Sequence, residues 1–85
     1  MATNTQIDSN KDLIKYIVQA LVDNPGQVEI SEIAGHQSCV FELRVAKEDI
    51  GKVIGKKGRN INAVRTIINC ASAASGMRTI LELVE

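Results

Sequence analysis

The sequence predicts an α/β (α+β) two-layer sandwich with elements in the order α-β-β-α-α-β, a three-stranded mixed sheet and three helices on one face. Three observations predict it. Apolar residues recur every three or four positions near residues 13–21 and 61–74. They alternate with polar residues near 28–33, 38–45 and 77–84. The last two alternating stretches are separated by helical pattern, and a helical crossover, which is right-handed in nearly all cases, makes neighbouring strands parallel.

The first helix is read from Leu13, Ile14, Ile17, Val18, Ala20 and Leu21. Ser9 is the expected cap, with Asp12 at the third position after it. Residues 1–8 are polar and are expected to be a flexible segment ahead of a single domain at 9–85. Asp23-Asn24-Pro25-Gly26 stops the helix, because proline cannot continue it. A strand over Val28–Ile33 and a second over Ser38–Val45 flank a four-residue turn containing Gly35, which predicts a hairpin. Cys39, Phe41, Leu43 and Val45 fall on one face of the second strand.

Lys47-Glu48-Asp49 opens a short helix that reaches only Ile54, with its acids in the favourable first turn. A long helix follows Gly58, with Ile61, Val64, Ile67, Ile68, Ala71 and Ala74 as its inward face and Gly76 as its left-handed cap. Met77 to the end is the third strand. The helices are expected to cover the sheet face bearing Phe41, Leu43 and Leu81, with the second strand central.

Composition narrows the function. The 85 residues are one domain's worth, and 45% of them are apolar. One Phe, one Tyr and no Trp leave the core to Ile, Val, Leu and Ala. So few aromatics also argue against a reader that stacks bases on aromatic platforms. No apolar run is long enough for a membrane span, and the start lacks a secretory signal, so a cytoplasmic protein is expected. Cys39 and Cys70 form neither a zinc pattern nor a disulfide framework and read as two buried thiols. No metal and no cofactor are expected.

The net charge is zero, but it is unevenly spread. Arg44–Arg65 holds seven basic residues against two acidic, and the remainder holds three against eight. A basic segment on an acidic body marks an anion-binding face. At its centre stands Gly55-Lys56-Lys57-Gly58, between the short helix and the long one. Glycine allows a tight turn and close approach of another backbone. The helix that follows offers unpaired N–H groups and its positive dipole end. Lys52, Lys56, Lys57 and Arg59 add positive side chains, and Arg65 extends their reach. The glycine spacing fits neither a Walker loop nor a dinucleotide fingerprint. Asp49 and Glu48 read as helix-start acids and His36 as a turn residue. No nucleophile has a base beside it, so no catalytic residue and no enzyme are expected.

Ile54-Gly55-Lys56-Lys57-Gly58-Arg59-Asn60-Ile61, preceded by Val53 and followed by Val64, resembles the I-G-x-x-G-x-x-I signature of KH domains. The element order resembles the bacterial, type II form, and the likeness covers about residues 9–84. Leu21–Pro25 and Ile50–Lys56 also resemble the small stand-alone bacterial members. The resemblance implies single-stranded RNA binding of low sequence specificity, in post-transcriptional regulation tied to growth and the cell envelope. It implies that Gly55 and Gly58 are the motif glycines and that Lys56 and Lys57 contact phosphate. Val53 and Ile54 would line a groove for bases, Lys52 and Arg59 would add charge, and Ile61 would serve mainly the core. It further implies a homodimer, or a heterodimer with a larger KH-containing protein. The competing reading is a protein-docking module, resting on Val40, Ile80 and Val84 on the open sheet face. Double-stranded DNA binding fits less well, because no recognition helix with base-reading side chains is evident.

Overall fold

The computed structural model describes the backbone of residues 2–73 and 76–85, and side chains from residue 10 onward within those ranges. No glycine or proline precedes Pro25, so nothing breaks a helix upstream of it. Helix α1 therefore runs Ala2–Leu21. It passes through Ser9, which is an interior residue and not the cap expected. Pro25–Gln27 then forms one 3-10 turn.

Strands β1 (Glu29–Ala34) and β2 (Ser38–Arg44) are antiparallel, with Ile30 opposite Leu43 and Glu32 opposite Phe41. After a 3-10 turn at Lys47–Asp49 come helix α2 (Ile50–Ile54), a second such turn at Lys56–Gly58 and helix α3 (Arg59–Ala73). Gly76, at φ 72°, donates its N–H to the Ala73 carbonyl and turns the chain into β3 (Arg78–Leu83). Strand β3 is parallel to β2, with Leu81 opposite Phe41, and the sheet order β1-β2-β3 puts β2 in the centre as expected.

The core joins Ile14 and Val18 of α1, Val53 of α2 and Ile61, Val64 and Ile68 of α3 to Phe41, Leu43 and Leu81 of the sheet. Each such side chain contributes roughly 1.5–3 kcal/mol on burial. The phase of α3 differs from the expectation at two positions. Ile67 is 45% exposed, and Cys70, expected to be a buried thiol, is exposed. At about 100° per residue, Ile61, Val64, Ile68 and Ser72 centre on one line. Cys70 lies on the far side of the helix from Ile61, and Ile67 falls beside the line. Ala74, expected on the inward face, lies outside the described residues.

Ser72 takes the inward place, and it is there as a polar group with partners. Asn10 Nδ2 of α1 donates to Ser72 Oγ at 3.3 Å, and Ser72 Oγ lies 3.0 Å from Thr79 Oγ1 of β3. All three residues are buried. One small network thus ties α1, α3 and β3 together, and its bonds offset the cost of burying its polar atoms.

Asp49 stands at the helix start, as expected, but its side chain is used elsewhere. It is fully buried, and its carboxylate makes no capping bond to its own helix. It reaches instead across to the turn after α1. Oδ1 accepts from the Asp23 N–H at 3.2 Å, and Oδ2 accepts from the N–H and the Nδ2 of Asn24, each at 3.0 Å. Burial alone would raise its pKa. The Asn24 amide, the two backbone N–H groups and the nearby Lys52 ammonium outweigh burial and hold the carboxyl below its ordinary range.

A depressed carboxyl pKa contributes stability that is fully present above the unfolded value and is lost as pH falls through the folded one. Asp49→Asn should lower the melting temperature by several degrees near neutrality, since it sets an amide donor against the N–H donors. The gap to the unsubstituted protein should narrow as pH falls below 3.8, the ordinary value for the group. Melting followed by circular dichroism from about pH 7 down to pH 3 tests this; a constant gap across that range would refute it.

Candidate nucleic-acid interface

The basic loop is built from an unusual run of backbone. Gly55 stands at φ 75°, ψ 172°, Lys57 at φ 58°, ψ 27° and Gly58 at φ 76°. Three residues of four are thus left-handed. For Gly55 this is a region only glycine occupies without strain. For Lys57 it costs on the order of 1 kcal/mol, because its Cβ crowds the following carbonyl. The Gly55 N–H donates to the Gly51 carbonyl at 2.9 Å, and the Gly58 N–H to the Gly55 carbonyl at 3.1 Å. These bonds end α2, reverse the chain and deliver it to the start of α3.

The side chains around the loop divide into two groups. Lys56, Lys57 and Arg59 are exposed at the N-terminal end of a 15-residue helix, where first-turn N–H groups and the helix dipole both favour an anion. Lys52 is different. Its Nζ lies 2.7 Å from Asp23 Oδ2 and 3.9 Å from Asp49 Oδ1. Its pKa is raised, first by the hydrogen bond to Asp23 and then by that carboxylate's charge, despite some desolvation. Lys52 is therefore not a free cation, and the expectation of four lysine and arginine charges on offer reduces to three.

Val53 also departs from its expected role. It is fully buried in the core cluster, so it offers no surface to a base. The reason is phase: in a five-residue helix the one residue facing the sheet must anchor it. Ile54 is half-buried against that core, and Ile61, at 6% exposure, is part of it.

Sequence reasoning missed Asn60. Its Nδ2 donates to the Lys52 carbonyl at 2.8 Å. It also presses on Gly55: a Cβ added there would lie 2.6 Å from Asn60 Cγ and 2.8 Å from its backbone nitrogen. The close approach that Gly55 permits is thus made first by the chain itself. The available signal was the tendency of Asn at a helix start to bond nearby backbone.

Also unforeseen is an open groove of about 570 Å³ between α3 and β3. Arg65 and Asn69 border it on the helix side, and Arg78, Thr79, Leu81 and Glu82 on the strand side. The Arg78 and Val84 N–H groups bond to residues of the β2 side, so the backbone polar groups of Thr79 and Leu81, one position out of phase, face the groove. Arg65 Nε donates to the Leu81 carbonyl at 3.1 Å, and its Nη1 to Asn62 Oδ1 at 3.4 Å. Asn62 in turn sits against Gly58, its Nδ2 being 3.3 Å from where a Cβ would stand. Asn62, Arg65 and Asn69 of α3 therefore form one strip that runs from Gly58 of the loop to the groove.

Neither aromatic borders these features: Phe41 is in the core, and Tyr16 is exposed on α1. Among the described residues there is no cluster of three or more His, Cys, Asp or Glu side chains able to hold a metal ion. No helix among them is long and apolar enough to cross a membrane. Burial, and after it the charge of Glu32, push the Cys39 thiol up, so it is held protonated.

Comparison with known proteins agrees with this geometry. Residues 11–83 match the KH-domain family described as KhpA/KhpB. The chain is 52% identical over 73 residues to the RNA-binding protein KhpA of Caldanaerobacter subterraneus subsp. tengcongensis, covering 86% of this chain and 97% of that one. It is 46% identical over 74 residues to the RNA-binding protein KhpA of Clostridium acetobutylicum, covering 87% and 99%. With the RNA-binding protein KhpA of Treponema pallidum it shares 43% identity over 79 residues, covering 93% and 99%. No solved structure matches it. The left-handed G-K-K-G turn between two helices, the mixed sheet with its parallel crossover and a match over most of the length lead to one conclusion: the chain belongs to the KhpA/KhpB family of KH domains.

Proposed function

We propose that the protein binds single-stranded RNA through the Gly55–Gly58 loop and the adjoining groove, as one binding module over residues 9–85, without catalysing a reaction. The observation that carries the proposal is the loop itself. Its left-handed course exposes Lys56 and Lys57 at the N-terminus of α3, beside Arg59. Backbone phosphates would meet Lys56, Lys57, Arg59 and the first N–H groups of the helix. Lys52 would act through its field alone, since Asp23 holds its ammonium. Bases would follow the strip of Asn62 and Arg65 into the groove, where the Thr79 and Leu81 backbone offers donors and acceptors. Ile54 would border the path near the loop. The relatives named as RNA-binding proteins support the reading. A role in post-transcriptional regulation in the cytoplasm is consistent with it.

A second reading concerns partners. On the sheet face away from the helices, Ile33, Val40 and Ile80 lie side by side across the three strands. Ile33 is 56% exposed and Ile80 40%. Such a row favours association with a second copy or with a larger, KhpB-like KH protein. This association would accompany RNA binding and would also serve a docking module that binds no RNA.

Five outcomes are expected. Lys56→Asp with Lys57→Asp should weaken binding to a single-stranded RNA oligonucleotide about 100-fold or more while leaving the far-ultraviolet circular dichroism unchanged. In the unsubstituted protein, log affinity should fall with log salt with a slope of about −2, as three phosphate contacts on a single strand imply. Fluorescence anisotropy reads both, and undiminished affinity in the double variant would sink the assignment. Lys57→Gly should raise stability to urea by up to ~0.5 kcal/mol, relief of left-handed strain of about 1 kcal/mol slightly exceeding the entropic cost of glycine. The same variant should bind RNA several-fold more weakly; full affinity would show that Lys57 makes no contact. Sedimentation velocity at micromolar concentrations should reveal a dimer, and a monomer at all concentrations would remove self-association.

A further inference from the structure

Helix α2 is five residues long, so most of its carbonyl groups have no partner within it. The Gly51 carbonyl is taken by the Gly55 N–H. The Lys52 carbonyl is taken by a side chain from beyond the loop, that of Asn60. Asn60 is the second residue of α3. One amide therefore joins the end of the helix before the loop to the start of the helix after it.

The same residue fills the space beside Gly55. Its Cγ, Cβ and backbone nitrogen would all lie within 3.0 Å of a Cβ at that position. Its partner Lys52 is fixed from the other side as well. The Lys52 ammonium is bound to Asp23, and Asp23 and Asn24 are in turn held by the buried Asp49 carboxylate. A chain of contacts thus runs from the turn after α1 through Asp49 and Lys52 to Asn60 and the loop. It ends on the glycine that begins the left-handed run.

We infer that Asn60 is the positioning residue of this loop: bonded to the Lys52 carbonyl and seated on Gly55, it holds the left-handed backbone that presents Lys56 and Lys57. The inference rests on the proposed binding of RNA by that loop. Its physical content is preorganisation. A loop already held in its binding course loses less entropy when a ligand arrives. Asn60 itself is half-buried behind the loop, with its donor committed to the chain's own backbone.

The test uses Asn60→Ala, which removes the donor and the Cγ end of the seat while keeping Cβ and the backbone nitrogen beside Gly55, and Asn60→Leu, which keeps bulk against Gly55 and removes the donor. In the free protein, amide hydrogen exchange at Gly55 and Gly58 should quicken in both variants, more in Asn60→Ala, while core amides of β2 stay protected. With a single-stranded RNA oligonucleotide, affinity should fall about tenfold, or ~1.4 kcal/mol, in Asn60→Ala and less in Asn60→Leu. The salt slope should shrink along with it, because misplaced lysines release fewer counterions. Lost affinity with unchanged loop exchange would overturn the inference in favour of a direct contact with RNA. Quickened exchange with full affinity would overturn it too, as a purely structural role. The Lys56→Asp, Lys57→Asp protein is measured alongside. If it loses RNA while Asn60→Ala keeps it, only the role of Asn60 fails; if it keeps RNA, the binding assignment fails and takes this role with it.

Discussion

A chain that must leave one helix and enter another within four residues cannot do so in right-handed backbone alone. Gly55, Lys57 and Gly58 meet that constraint by turning left-handed, and much of the rest of the site follows from it. Helix α2 is short because Gly55 ends it. Helix α3 starts at Arg59 with its first N–H groups facing outward. The two glycines supply what they can at little steric cost. Lys57 does not, and a strained non-glycine residue persists only where its surroundings over-determine it. The Gly51–Gly55 and Gly55–Gly58 bonds and the seat of Asn60 do so.

Charge in this protein is arranged by pairing more than by abundance. The Arg44–Arg65 segment has a surplus of five positive charges, yet Lys52 is spent on Asp23 and Asp49. An exposed ion pair contributes little to stability in water. Its importance lies in placement, because it fixes the residue whose carbonyl Asn60 uses. The buried Asp49 carboxylate is a different case. It is tolerated because donors surround it, and removing them would leave a charge without solvation. The acids near the basic loop are thus largely its supports.

Periodicity made the element order, the central β2 and the parallel β3 legible, because Cys39, Phe41, Leu43, Thr79 and Leu81 alternate without interruption. The glycine spacing made the loop legible. Pairing across the chain was not. Ser9 has the chemistry of a cap, but nothing before it stops a helix, so local preference lost to continuity. Ile67 looked more apolar than Ser72, but the buried line of α3 passes through Ser72, where Asn10 and Thr79 satisfy it. Asp49 sits where a helix-start acid belongs, and its partners lie 25 and 26 positions away in sequence. Val53 and Ile54 are adjacent aliphatics, and no pattern told which would be consumed by the core. The groove needed knowledge of which β3 backbone groups face outward, which depends on the register with β2.

The loop and the groove do different physical work. Under the proposed function, phosphate contacts at Lys56, Lys57 and Arg59 would be long-ranged, screened by salt and blind to sequence. The Thr79 and Leu81 backbone, with Arg65 fixed across the mouth, offers directed donors and acceptors at a distance from that charge. With no aromatic side chain at the groove, nothing there stacks a base, a contact worth roughly 1–3 kcal/mol per base where it exists. Under that proposal a single module of this kind would hold RNA weakly and discriminate little. Linking two such surfaces makes the second contact intramolecular and raises affinity without any new chemistry. A small, neutral chain with one charged loop would therefore gain more from pairing than from enlarging its own site, and the row of exposed Ile33, half-buried Val40 and exposed Ile80 is the face proposed for it.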